Sequence, residues 1–61
     1  MPLIEIKLFE GRSDELKRAY AQAITQSAVE IFKCSPESVD VIFSDVKKSD
    51  WATGGKLWSD H

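Results

Sequence analysis

The sequence predicts an α+β fold: one β-α-β unit with a short C-terminal hairpin, completed by oligomerisation. Two stretches of alternating apolar and polar residues, separated by one long amphipathic segment, indicate strand, helix and strand in that order. The third observation is size, because the 61 residues form one domain, residues 1–61. A domain this short buries only about 60% of its unfolded surface, so we expect an obligate oligomer.

The first strand is expected over residues 3–9, where apolar and charged side chains alternate. Ile4, Ile6 and Leu8 share one face, because successive side chains of a strand point to opposite faces. Gly11 then interrupts the pattern and predicts a turn before the next element.

The helix is expected to begin after Ser13, a favoured N-cap residue that is followed by two acidic residues suited to the positive end of the helix dipole. Apolar residues then recur at the spacing of one helix face. These positions are Leu16, Tyr20, Ala23, Ile24, Ala28 and Ile31. We place Lys33 in the last turn and the end of the helix near Ser35, because Pro36 disfavours helical backbone in the residue before it.

The second strand is expected over residues 39–46, with Val39, Val41 and Phe43 on one face. Two parallel strands joined by a helix form a right-handed crossover unit. Beyond a polar loop, Gly54 and Gly55 indicate a turn, and residues 56–58 are expected to form a short final strand. One helix on two strands cannot enclose a core, so another copy must complete the sheet.

Composition excludes several classes of function. The net charge is −2, which does not suit non-specific nucleic-acid binding, and no apolar run approaches the roughly 20 residues of a membrane span. Cys34 and His61 are the only cysteine and histidine, so neither an internal disulfide nor a zinc cluster is expected, and His61 is expected in a disordered tail. A free cysteine, and a start unlike a signal peptide, lead us to expect a cytoplasmic protein.

Pro2 is the first candidate for chemistry. It follows Met1 directly and precedes the first strand almost without a spacer. Removal of Met1 would leave a secondary amine fixed to a strand. Apolar surroundings disfavour the cationic form of such an amine and lower its pKa, and a nearby arginine lowers it further. A general base works best when its pKa is near the operating pH.

Arg12 and Trp51 are the second and third candidates. A guanidinium holds a carboxylate through two hydrogen bonds, so Arg12 can act as a carboxylate clamp. A tryptophan within a polar loop can form the wall of a small pocket and keep water out. A solvated surface arginine and a packed core or interface tryptophan remain the alternative interpretations.

The run Met-Pro-Leu-Ile-Glu-Ile-Lys-Leu-Phe-Glu-Gly-Arg-Ser-Asp-Glu resembles the start of the 4-oxalocrotonate tautomerase family, as do the second strand, the loop aromatic and the Gly-Gly turn. The resemblance implies a 4-oxalocrotonate tautomerase-like isomerase that moves a proton in a 2-hydroxy-dienoate or related enol acid without cofactor or metal. It implies Pro2 as catalytic base, and Arg12, Trp51 and Phe9 as substrate-binding residues. It also implies a hexamer in which Arg12 serves a neighbouring subunit's site.

Asp40 departs from the family, whose prototype has an arginine at this position that polarises the substrate. The substrate class that this acidic residue permits is therefore open. Two alternatives also remain open: a subunit of a heterohexameric tautomerase or dehalogenase whose partner chain supplies the arginine, and a catalytically weak paralogue used for binding.

Overall fold

The computed structural model describes residues 2–61 and confirms the β-α-β unit with its C-terminal hairpin. The strands and the helix are β1 Leu3–Phe9, α1 Asp14–Phe32, β2 Asp40–Val46, β3 Ala52–Thr53 and β4 Lys56–Leu57, with single 3₁₀ turns at Pro36–Ser38, Lys48–Asp50 and Trp58–Asp60. Within residues 2–61, no helix combines the length and the hydropathy that crossing a membrane requires.

Strands β1 and β2 pair in parallel along their whole length, from Leu3 opposite Asp40 to Phe9 opposite Val46. The pairing continues past the amino end of β1, because the Asp40 amide donates a hydrogen bond to the Pro2 carbonyl oxygen at 3.0 Å. Paired residues lie on the same face of the sheet. The register of β1 against β2 is therefore fixed along the whole length of both strands.

The helix begins as the sequence predicts, and it ends earlier. Ser13 is the N-cap, and its hydroxyl accepts a hydrogen bond from the Leu16 amide at 3.2 Å. Lys33 is not in the last turn: it is the C-cap residue, in the left-handed conformation with φ 57°, and its amide donates to the Val29 carbonyl. The left-handed residue breaks the helical hydrogen-bond pattern before the proline does, so the expected end near Ser35 is wrong.

The second strand and the hairpin also differ slightly from expectation. β2 begins at Asp40, because Val39 closes the preceding 3₁₀ turn through a hydrogen bond to the Pro36 carbonyl. β4 contains only Lys56–Leu57, and Trp58 begins the final 3₁₀ turn. The carboxyl-terminal residue His61 stacks on the Trp58 ring, whereas the sequence analysis expected it in a disordered tail.

The chain builds almost no core of its own. Among residues 2–61 only Ala28 is buried. The radius of gyration is 14.6 Å over a plate measuring 43 × 24 × 13 Å, whereas a compact chain of this length would have about 10.5 Å. The accessible surface is 4777 Å², about a fifth more than is usual for a monomer of this mass. The single chain therefore leaves much of its apolar surface in contact with solvent.

Part of this exposed apolar surface lies on α1. Leu16, Tyr20 and Ile31 belong to the apolar face predicted from the sequence, yet they are 58%, 50% and 71% exposed. The sheet of the same chain covers the neighbouring part of that face, where Ile24 is half-buried and Ala28 is buried. The helix is thus rotated so that part of its apolar face remains exposed in the single chain.

Candidate functional site

Pro2 and Asp40 lie together at the amino end of the parallel sheet. Pro2 is half-buried, and its carbonyl oxygen accepts the 3.0 Å hydrogen bond from the Asp40 amide. This bond and the β1–β2 pairing that follows it hold the proline ring at the point where the sheet begins. Asp40 is exposed and pairs with Leu3, so its side chain shares the face that Leu3 occupies, away from α1.

Arg12 lies at the opposite end of β1, beyond a turn in which Gly11 has φ 106°. It is exposed, and the only ion pair within residues 2–61 joins Lys17 Nζ to Asp45 Oδ2 at 2.9 Å. Arg12 therefore has no carboxylate partner in the part of the chain described. It borders a depression of about 410 Å³ between helix and sheet. The remaining lining residues are Ile6, Leu8, Leu16, Lys17, Tyr20 and Phe43.

An aromatic cluster closes the same carboxyl end of β1. The Phe9 ring packs against Trp51, with centroids 4.6 Å apart and planes tilted by 56°. Trp58 packs against Phe9 at 5.6 Å and 59°. His61 stacks on Trp58 at 4.2 Å and 16°. Such tilted and stacked arrangements are the favourable ones for aromatic pairs, so the four rings form a continuous packed unit.

A second depression, of about 350 Å³, adjoins this cluster on the sheet face opposite α1. It is lined by Lys7, Val46, Asp50, Trp51 and Ala52. The tryptophan thus presents one ring surface to Phe9 and also borders an open space, as a pocket wall would. Lys48 Nζ, 5.8 Å from the Phe9 ring centroid, adds positive charge nearby.

The structure places Phe9, Arg12 and Trp51 at one end of β1 and Pro2 at the other. The strand Leu3–Phe9 that separates them rises roughly 3.3 Å per residue, so Pro2 and Arg12 of one chain are on the order of 20 Å apart. A single small substrate cannot contact both. A site that uses all four residues has to combine the amino end of one chain with the carboxyl end of another.

The sequence alone did not predict that Trp58 contacts Phe9 at the candidate site. A usable signal was present: the Gly54-Gly55 turn folds the chain back on itself, so that Ala52 pairs with Leu57. The residues just outside this pair, Trp51 and Trp58, then face each other. Their backbones join through the Trp58 amide, which donates to the Trp51 carbonyl at 2.9 Å.

Comparison with known proteins identifies the family. The family model described as tautomerase enzyme matches residues 2–61. The chain belongs to the tautomerase family. The 2-hydroxymuconate tautomerase of Bacillus subtilis is 35% identical over 60 residues, which cover 98% of this chain and 97% of that protein. The resemblance to the 4-oxalocrotonate tautomerases noted in the sequence is confirmed, and this tautomerase is an isomerase-like enzyme.

Solved structures of tautomerases share the fold. The crystal structure of YwhB, a homologue of 4-oxalocrotonate tautomerase, matches with a TM-score of 0.94 and 33% identity over 98% of each chain. A heterohexamer 4-oxalocrotonate tautomerase from Chloroflexus aurantiacus matches with a TM-score of 0.91 and 32% identity, covering 98% of this chain and 97% of its own. The β-α-β plate described above is therefore the tautomerase fold.

Proposed function

We propose that this tautomerase catalyses keto-enol proton transfer on a small 2-hydroxy-dienoate or related enol acid in the cytoplasm, with Pro2 as the general base. The proposal requires removal of Met1, which lies outside the described residues. Once Met1 is removed, the Pro2 nitrogen is a secondary amine rather than an amide. Only the amine has a lone pair basic enough to accept a proton at neutral pH.

The observation that carries the proposal is the anchoring of Pro2 at the start of the sheet. Its carbonyl oxygen is held by the Asp40 amide, and its ring is half-buried rather than free in solvent. A base that is fixed to a strand loses little further freedom when a substrate binds, which favours reaction. A chain end without this pairing would give the nitrogen no defined position.

The proposed reaction moves one proton and needs no external oxidant or reductant. Neutral Pro2 removes the proton from the 2-hydroxyl group of the enol acid, and the oxygen becomes a carbonyl as the double bond shifts. The protonated proline then gives the proton to the carbon at the far end of the shifted electron pair. The product is the keto isomer, and Pro2 returns to its neutral form.

Arg12 and the aromatic residues are proposed to bind the substrate. Arg12 is exposed and has no carboxylate partner within residues 2–61, which leaves its guanidinium free for a two-point contact with a carboxylate. Trp51 and Phe9 supply an apolar wall that excludes water from the reacting atoms. The distance along β1 between Pro2 and Arg12 supports the proposal that Arg12 serves the site of another subunit in a hexamer.

The test is a ketonisation assay on the natively expressed protein, with its intact mass measured on the same sample. Mass without Met1, together with conversion of an enol acid to its keto form, is the expected result. The matched control carries one alanine inserted between Met1 and Pro2. Every side chain of the wild type is then kept, but the Pro2 nitrogen becomes an amide. Equal activity of the inserted variant would overturn the role of Pro2.

A heterohexamer is the second candidate, and Asp40 is the observation that favours it. An exposed acidic residue beside Pro2 gives the site negative charge where stabilising a developing oxyanion calls for positive charge. A partner chain could supply that positive charge, as the heterohexameric assembly of the Chloroflexus aurantiacus relative suggests. Purification from the native host distinguishes the two assemblies: a second small chain at equal stoichiometry supports the heterohexamer, and a single chain supports the homohexamer.

A further inference from the structure

We propose that Trp58 is a positioning residue that holds Trp51 in the orientation in which it forms the wall of the substrate pocket. This inference rests on the proposed function, because it assigns Trp58 a role through Trp51. Trp58 is half-buried and lies at the start of the last 3₁₀ turn, behind the ring pair formed by Phe9 and Trp51.

The orientation of the Trp51 ring depends on packing. Within residues 2–61, no side-chain hydrogen bond involves the Trp51 indole, and its ring contact is the one with Phe9 at 4.6 Å. A half-buried ring without a polar anchor keeps one orientation only if the groups around it are fixed. Phe9 is therefore the immediate support of Trp51.

Trp58 contributes to this support at three points. Its ring packs on Phe9 at 5.6 Å, so Phe9 lies in contact with both tryptophans. Its amide donates to the Trp51 carbonyl at 2.9 Å and fixes the backbone that carries the wall. Its indole Nε1 donates to Thr53 Oγ1 at 2.9 Å and so fixes the hairpin strand that follows Trp51.

The three contacts predict which kinetic parameter changes. The backbone bond persists in any variant at position 58 other than proline, whereas the ring contact and the Nε1 bond depend on the side chain. Loss of the ring leaves one side of Phe9 uncovered and lets Trp51 take other orientations. Because Trp51 is proposed to contact the apolar part of the substrate, we expect a higher KM with little change in kcat.

The experiment compares Trp58→Ala in two backgrounds, wild-type and Trp51→Ala. In the wild-type background we expect KM to rise about fivefold, within the range of a lost aromatic pair, with kcat within about twofold of wild type. In the Trp51→Ala background, Trp58→Ala should change KM by less than about twofold, because the residue through which it acts is gone. Equal fold-changes in the two backgrounds would overturn the inference.

Further variants separate this role from folding. Trp58→Phe keeps a ring against Phe9 and should restore most of the KM, and Thr53→Val removes the Nε1 acceptor while leaving all the rings in place. Lys56→Ala, an exposed change in the same hairpin, is the matched control and should have wild-type KM. Should Trp58→Ala fail to assemble, Thr53→Val is compared in both backgrounds: a rise in KM in the wild-type background alone supports the inference, and equal fold-changes in the two backgrounds overturn it.

The outcomes also distinguish this inference from the proposed function. If Trp51→Ala alone leaves KM unchanged while Pro2→Ala lowers kcat/KM at least about a hundredfold, then Pro2 is supported as the base, and the roles of Trp51 as pocket wall and of Trp58 as its support are wrong. If Trp51→Ala raises KM and Trp58→Ala does not, the role of Trp51 as pocket wall is supported, and only the inference about Trp58 is overturned.

Discussion

The two ends of β1 are built in different ways. At the amino end, Pro2 is held by one backbone hydrogen bond and has the exposed Asp40 beside it. At the carboxyl end, the rings of Phe9, Trp51, Trp58 and His61 pack into one cluster, and Arg12 lies nearby without an ion-pair partner within residues 2–61. Under the proposed function, one end supplies the base and few binding groups, and the other end supplies binding groups and no base.

This difference separates the proposed catalytic base from the proposed substrate-binding residues. A seven-residue strand keeps the two ends on the order of 20 Å apart within a chain, so one chain alone cannot form the proposed site. In the proposed hexamer, the amino end of β1 in one chain lies against the carboxyl end of β1 in another. The exposed apolar residues of α1 offer surface for such an assembly, and the proposed site would then form only in the oligomer.

The largest expected effect comes from removing the reactive group at the amino end. Pro2→Ala should lower kcat/KM by at least about a hundredfold, the usual contribution of a general base, with residual activity from the remaining primary amine. In the wild type, the rate should rise with increasing pH through the pKa of the Pro2 amine, because only the neutral form accepts a proton. Steady-state kinetics on an enol acid measure both, and an unchanged rate in Pro2→Ala would contradict the assignment.

Complementation between two impaired variants, assayed at a substrate concentration well below the wild-type KM, tests whether the two ends act across chains. Pro2→Ala and Arg12→Ala subunits are co-refolded in equal amounts and assayed as a mixture. Random assembly gives about a quarter of the sites both an intact Pro2 and an intact Arg12, if these come from different chains of a symmetric oligomer. Activity should therefore recover to roughly a quarter of wild type.

Sedimentation of the same mixture, and of the wild type, should give about six times the chain mass. Activity no greater than the sum of the separate variants, in a mixture shown by mass to contain both, would mean that each site uses one chain alone. A stable, folded wild-type monomer at micromolar concentration would contradict the shared site more directly.

Removing the charge at the carboxyl end should affect binding more than folding. Arg12→Ala is expected to raise KM for an acid substrate about twentyfold, because a charged two-point contact with the carboxylate is lost. Arg12→Lys keeps the charge without the planar pair of donors and should recover only part of the affinity. Circular dichroism and oligomer mass are the controls: their collapse, with normal kinetics in the remaining folded protein, would show that Arg12 is structural.

Changing the charge at the amino end should produce the smallest effect and the only gain. Asp40→Arg is expected to raise kcat/KM for a dienol dicarboxylate by about tenfold or more, equivalent to about 1.4 kcal/mol. The arginine would stabilise developing negative charge on oxygen, whereas an aspartate that faces the site would repel both that charge and a second carboxylate. The wild type should therefore prefer monocarboxylates with apolar tails. No gain in a variant that remains hexameric would show that Asp40 does not face the site.

The elements that the sequence predicted well are those whose signals are local. Alternation predicted β1 without error, and a hydroxyl followed by two acids predicted the Ser13 cap. The end of the helix was missed because Lys33 adopts a left-handed conformation, which glycine adopts far more readily and which the sequence pattern does not signal. The stacking of His61 on Trp58 was missed because it depends on how the final turn folds back.

For the site, the sequence by itself singled out Pro2, Arg12, Trp51 and Phe9, since residue chemistry and motif spacing are written along the chain. Only the tertiary structure decided that the first of these lies at the opposite end of β1 from the others, and that Trp58 packs behind Phe9. It also decided which part of the helix's apolar face the chain covers for itself. The physical reason is that periodicity specifies which side chains share a face, whereas the rotation of the helix on the sheet and the path of the hairpin depend on packing between residues distant in sequence.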